Sequence, residues 1–194
     1  MKGVYMDLAI LHGIQNTIGC DFLDMVMPAI TMLGEKGAIW LITGIVLICM
    51  KRYRRWGITL ICGVALVWVV GDHIIKPLVA RPRPFVVDPT LLPLLVEAPT
   101  DYSFPSGHTS ASFAAATVLL FSNIKKPWKV LGLVVAILIA FSRLYVCVHN
   151  PTDVLAGLVL GVAAGIIVSL VSNALAQRYG WGEPAAVPQG KHSR

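Results

Sequence analysis

Charge is the scarcest commodity in this sequence. Asp, Glu, Lys and Arg make up 13% of its 194 residues, against roughly 25% in a soluble domain. Hydrophobic residues reach 56% and the mean hydropathy is +0.74. That balance excludes an ordinary soluble domain and predicts an integral membrane protein. Cysteine is also sparse: Cys20, Cys49, Cys62 and Cys147 form no C-x-x-C pair. This excludes a disulfide framework and a zinc pattern, and leaves the thiols as inert apolar groups. The N-terminus has no signal-peptide pattern with a cleavage site. No internal repeat of the transporter kind is present. At ~20 residues per span the chain accommodates about six crossings and no second domain.

What is present arranges those crossings. "YMDLAILHGIQNTI", residues 5–18, spaces its apolar residues as an amphipathic helix lying at the membrane interface. Candidate spans follow at 20–34, 37–50, 56–75, 107–123, 128–147 and 153–176. The expected fold class is all-α, a six-transmembrane-helix bundle. Residues 1–180 form one membrane-embedded domain, and residues 181–194 a disordered cytoplasmic tail. Basic residues set the sidedness. "KRYRR" at 51–55, "KKPWK" at 125–129, Lys2, Arg178, Lys191 and Arg194 fall on one side of a six-span model. Lys36, Lys76, Arg81, Arg83 and Arg143 fall on the other. Both termini are therefore expected in the cytoplasm, in a cell-membrane protein whose polar face points outward.

Three polar clusters gather on that outward face: "KPLVARPRP" at 76–84, "PSGH" at 105–108 and "SRLYVCVHNPTD" at 142–153. Lys76, Arg81, Arg83 and Arg143 call for an anion, and arginine forks suit phosphate oxygens. Ser106, Gly107 and His108 open a helix whose free N–H groups favour an anion. Ser106 adds a hydroxyl, and Gly107 permits close approach. His149 and Asp153 stand four apart, with Asn150 as a cap and Pro151 starting the helix. Asp153 is placed to hold one ring nitrogen of His149 and leave the other free to attack phosphorus. His108 is placed to protonate the leaving oxygen.

Lys76 with Arg83-Pro84, then Pro105-Ser106-Gly107-His108, then Ser142-Arg143 with His149 and Asp153, resembles the type-2 phosphatidic acid phosphatase superfamily. Its pattern K-x6-R-P, P-S-G-H and S-R-x5-H-x3-D is matched without substitution. The resemblance implies a hydrolase that needs no metal or other cofactor. His149 would become a phosphohistidine, oriented by Asp153, with His108 as general acid. Lys76, Arg83, Ser106, Gly107 and Arg143 would bind phosphate. Arg81 falls outside the motif and is read as supporting or lipid-facing.

The short hydrophobic body resembles the bacterial lipid phosphatases. These act on undecaprenyl pyrophosphate, phosphatidylglycerophosphate or phosphatidic acid. The outward site favours undecaprenyl pyrophosphate. The expected partners are a lipid phosphate and the bilayer, with no nucleic acid; the oligomeric state stays open. The rivals are a metal-dependent hydrolase using His108, His149 and Asp153, and an anion-binding transporter. Asp72 and His73 are left outside the catalytic set, Asp72 as a neutralising neighbour of Lys76. Gly157, Gly161 and Gly165 suit either internal helix packing or a dimer face. The apolar run Leu91–Val96 is expected to flank the lipid entry path.

Overall fold

Two of the motif turns start the two helices at the centre of the fold. The computed structural model describes residues 2–181. Its helices are α1 (Lys2–Ile18), α2 (Asp21–Leu33), α3 (Ala38–Cys49), α4 (Arg54–Val67), α5 (Lys76–Val79), α6 (Pro84–Val87), α7 (Gly107–Phe121), α8 (Lys126–Tyr145) and α9 (Pro151–Tyr179). A π-helical stretch, Trp68–Ile75, joins α4 to α5. No strand occurs among the described residues. The tail expected after residue 180 lies outside the described residues, apart from Trp181.

Local chemistry explains the starts. Ser106 caps α7, its hydroxyl accepting from the Thr109 hydroxyl at 3.0 Å and from the Thr109 amide. Asn150 caps α9 and Pro151 is its first residue, as the sequence suggested. The Asp153 carboxylate accepts from the Asn150 backbone N–H at 2.8 Å. At the far end, Gly180 takes the left-handed conformation (φ 63°) that stops α9.

Helices α7 and α9 run side by side in the same direction, and the three spaced glycines explain their closeness. A Cβ on Gly157 would stand 2.6 Å from the Ser106 carbonyl oxygen. One on Gly161 would stand 2.4 Å from the Ser110 carbonyl oxygen, and one on Gly165 2.6 Å from Thr117 Cβ. The glycine stripe therefore packs internally against α7. Around this pair stand α4 and α8, with Leu60, Val64, Ala114, Val118, Ala136 and Ile139 in the shared core. Thr59 of α4 donates to Ser172 of α9 at 2.8 Å, and Trp40 of α3 donates to Ser112 of α7 at 2.9 Å.

The span count differs from the expectation. Three helical stretches are long and apolar enough to cross a membrane: Arg54–Val87, Lys126–Tyr145 and Pro151–Tyr179. A fourth is reached if the pair Asp21–Leu33 and Glu35–Cys49, bent by 44°, counts as one broken span. Helix α7 is apolar but only 15 residues long, about 22 Å, and is wrapped by its neighbours. The expected spans 20–34 and 37–50 are thus the two arms of one bent element. The reason is polar. Asp24 near the start of α2 accepts from the Tyr145 hydroxyl at 2.6 Å. Thr31 near its end accepts from Arg143 at 2.6 Å. Both ends of α2 are held at the same end of α8, so α2 does not descend through the bundle.

Helix α1 is held at that end as well. Asp7 pairs with Arg81, His12 lies 2.8 Å from Asp88, and Gln15 donates to the Tyr145 carbonyl. The basic turns 51–55 and 125–129 lie at the other end, where α9 also finishes. The two ends of the described chain therefore lie at opposite ends of the helix bundle.

Candidate functional site

A cavity of about 740 Å³ opens at the end of the bundle where α7 and α9 begin and α8 finishes. Six of the eight sequence-predicted site residues line it: Lys76, Arg83, Gly107, His108, Arg143 and His149. The other two stand behind them. Ser106 and Asp153 are each fully buried, and the Ser106 amide donates to the Asp153 carbonyl at 3.1 Å. That bond ties the start of α7 to the start of α9, and so ties PSGH to the His149 turn. Segments far apart in sequence thus converge as expected.

His149 sits in the turn between α8 and α9 and is 2% exposed. Its Nδ1 lies 3.6 Å from Asp153 Oδ2, an ion-pair distance just beyond a hydrogen bond, and it has no hydrogen-bond partner. Its Nε2 lies 3.4 Å from Arg83 Nη1. One nitrogen therefore faces the carboxylate and the other faces the cations. Burial pushes the imidazole below its ordinary value; Asp153 opposes that shift, while Arg143 and Arg83 add to it. That direction favours the neutral ring, which has the lone pair that a nucleophile needs.

The cations are held by the surrounding structure. Arg83 donates to the Val148 carbonyl at 2.7 Å and to the Asp101 carbonyl at 2.8 Å. Lys76 Nζ is 2.6 Å from Asp72 and 2.6 Å from Asp101. The π-helical stretch brings Asp72 and Lys76 together, and the Lys76 amide bonds back to the Gly71 carbonyl. Such widened turns recur at functional sites. Arg143 reaches across from α8 with its Nε unpartnered. His108, in the first turn of α7, has a buried Nε2 without a hydrogen-bond partner, 3.6 Å from Glu35 Oε2. A Cβ on Gly107 would come within 3.2 Å of Asp72, so the bare backbone keeps this wall open.

Three acids line the site that the motifs did not single out: Asp101, Asp72 and Glu35. Asp101 bridges Lys76 and Arg83. Burial opposes its ionisation, but the two cations hold its carboxyl down at about 2. Asp72 was read as a neutraliser of Lys76, and it is one. Glu35 faces His108. Asp7 pairs with Arg81, which does not line the cavity. Only the clustering of cations signalled Asp101 in advance, since so many positive groups need counter-charge. His73 stays outside, bonded to the Trp68 carbonyl at 3.3 Å. Among the described residues, no group of three His, Cys, Asp or Glu side chains is placed to hold a metal ion.

The apolar run Leu91–Val96 does not line the cavity, while Leu92 and Leu95 stay exposed. Leu91 is buried against Leu11 and Cys147, and Leu94 and Val96 pack against Tyr145, Val146 and Val148. Of the loop 85–104, only Pro99 and Asp101 reach the cavity. Its greasy side is formed by Leu41 of α3, Ile61 and Val64 of α4, and Trp68.

Fold and site define a helical integral membrane protein with a chamber lined by Lys76, Arg83 and Arg143 at one end of its bundle. The chain belongs to the PAP2 superfamily, whose model matches residues 56–176. An undecaprenyl-diphosphatase of Sulfolobus acidocaldarius is 42% identical over 124 residues, covering 63% of this chain and 58% of that protein. The undecaprenyl-diphosphatase BcrC of Bacillus subtilis is 35% identical over 127 residues, covering 64% of this chain and 60% of its own. The chain thus spans about three-fifths of these relatives' length. The crystal structure of a transmembrane PAP2-type phosphatidylglycerolphosphate phosphatase from Bacillus subtilis superposes with a TM-score of 0.72 at 24% identity, covering 88% of this chain and 86% of that one. That likeness bears on the fold.

Proposed function

We propose that this chain is a membrane lipid phosphatase that converts undecaprenyl pyrophosphate to undecaprenyl phosphate. The observation that carries the reading is His149, with Nδ1 toward Asp153, Nε2 toward Arg83, and His108 on the same cavity. The terminal phosphate lies among Lys76, Arg83, Arg143 and the amides that open α7. His149 Nε2 attacks phosphorus, and the P–O bond to the lipid phosphate breaks. His108 gives its proton to the leaving oxygen. The cations stabilise the charge of the five-coordinate transition state. Water, deprotonated by His108, then attacks the phosphohistidine. Inorganic phosphate leaves and His149 is restored. Asp153 holds the imidazole orientation throughout, and its distance to Nδ1 shortens once phosphate is bound.

The substrate choice is supported by the two diphosphatase relatives and by an apolar wall that suits a lipid chain. The exposed side of α1 carries Tyr5, Met6, Ile10 and Ile18, which suits a helix resting on the membrane surface with the site facing outward. Phosphatidylglycerophosphate and phosphatidic acid are the alternative substrates. A metal-dependent hydrolase is disfavoured by the repulsion of a divalent ion by Lys76, Arg83 and Arg143.

The test is phosphate release by purified protein in detergent with EDTA. Undecaprenyl pyrophosphate, phosphatidylglycerophosphate and phosphatidic acid are offered side by side, to wild type and His149→Ala. EDTA-resistant turnover, highest on the pyrophosphate and lost in the variant, is expected. Turnover abolished by EDTA, or retained by His149→Ala, contradicts the reading. So does a higher rate on one of the other two lipids, which would replace the substrate.

A further inference from the structure

Asp153 is 0% exposed and its two oxygens have different partners. Oδ2 faces Asn150 and His149. Oδ1 accepts from Arg81 Nη1 at 2.6 Å. The same nitrogen donates to the Thr152 hydroxyl at 2.6 Å, and Arg81 Nη2 donates to Asp7 Oδ2 at 2.7 Å. Asp7 is itself 2% exposed. It also accepts from the Thr152 hydroxyl at 2.6 Å and from the Thr152 amide at 3.3 Å. A buried carboxylate that has lost its partner is strongly destabilised, so neither acid is there by accident. The N-terminal helix thus reaches Asp153 through one guanidinium.

We propose that Arg81 and Asp7 are positioning residues of the dyad. Asp7, on α1, holds Arg81 against Asp153, and Arg81 fixes the carboxylate that orients His149. The inference rests on the reading of His149 as nucleophile and Asp153 as its orienting acid. A guanidinium fork suits the task, since it bonds two carboxylates at once in a fixed plane. Arg81 touches neither the cavity nor the reacting atoms, so it acts through Asp153.

The charges predict signs. The groups facing His149 are Asp153 from α9, Arg143 from α8, Arg83 from the loop before α6, and His108 from α7. Arg81 partly cancels the field of Asp153 at His149, and Asp7 partly cancels that of Arg81. Removing Arg81 leaves Asp153 stronger, so His149 holds its proton to higher pH. Attack needs the neutral ring, so the acid limb of kcat/KM moves up. Neutralising Asp7 leaves Arg81 unbalanced, so the limb moves down.

The experiment uses full-length protein in detergent. It records kcat, KM and the pH profile for Arg81→Met, Arg81→Lys, Asp7→Asn and Asp7→Asn/Arg81→Met, with His149→Ala as control. For Arg81→Met, kcat is expected to fall ~10- to 100-fold with KM within about twofold, and the acid limb to rise. Arg81→Lys is expected to return the limb toward wild type and recover kcat in part. Asp7→Asn is expected to lower the limb, and to add no further loss of kcat once Arg81 is Met. A structural tether would change the yield of folded protein and leave both limbs in place; that result overturns the proposal. So does a raised KM at unchanged kcat, which would make Arg81 a phosphate ligand. If Arg81→Met fails to fold, the opposite-signed limb of Asp7→Asn and the Arg81→Lys profile decide the matter. Turnover in His149→Ala overturns the underlying dyad reading. An inactive His149→Ala beside a wild-type-like Arg81→Met overturns only this inference.

Discussion

At the residue scale, the site is a balance of cations and acids around the His149 imidazole. His149 is depressed by burial, so its proton is gained only below its ordinary range, near 6.5. The acid limb of kcat/KM is therefore expected well below pH 6.5; a limb at or above that value would contradict a buried nucleophile. Asp101 makes a second test. It neutralises Lys76 and Arg83, but Lys76 keeps Asp72 and Arg83 keeps two backbone carbonyls. Both cations stay in place without the Asp101 carboxylate, and the cavity gains positive charge. Asp101→Asn is expected to bind inorganic phosphate severalfold more tightly, read as a lower inhibition constant. Weaker binding would mean that Asp101 positions the cations.

At the element scale, the pairing of α7 with α9 carries the site. The glycine stripe lets both helix starts meet, and the Ser106–Asp153 bond joins them there. Gly161→Leu puts carbon where the Ser110 carbonyl stands. Overpacking of this kind costs about 1–3 kcal/mol. A lower melting temperature in detergent and a larger loss of turnover than Gly180→Ala causes are expected. The α3–α4 wall makes a separate prediction. Polar replacements at Leu41 and Ile61 should impair lipid turnover by about tenfold and spare a soluble phosphate ester. Equal losses on both would move the lipid path elsewhere.

The sequence made this level partly legible. Helix starts at Ser106 and Asn150 were readable because capping and proline chemistry are local. The convergence of Lys76, Arg83, His108 and His149 was readable because cations at span ends need an anion. The bend between α2 and α3 was not readable. Hydropathy over 20–50 reports two apolar runs, and nothing local says that Asp24 and Thr31 find partners on the same end of α8. Arg81 was read as supporting or lipid-facing for the same reason, since its two carboxylates lie 74 and 72 residues away.

At the scale of the whole molecule, the ends of the described chain lie at opposite ends of the bundle, with α1 beside the site. Single cysteines introduced at Tyr5 and Arg178 in a cysteine-free background make this testable. A membrane-impermeant maleimide applied to sealed vesicles should label one and spare the other. Equal labelling of both would restore the arrangement with both termini on one face. The same geometry makes the N-terminal helix part of the active end of the protein, so deleting residues 2–18 should abolish turnover while leaving the α7–α9 core in place.

The most direct test of the account is the covalent step on His149. Protein is mixed with undecaprenyl pyrophosphate labelled in its terminal phosphate, quenched in base and digested. The account predicts an acid-labile, base-stable label on the peptide containing His149 in wild type, and none in His149→Ala. Turnover with no label on that peptide, or a label that survives in His149→Ala, would contradict it.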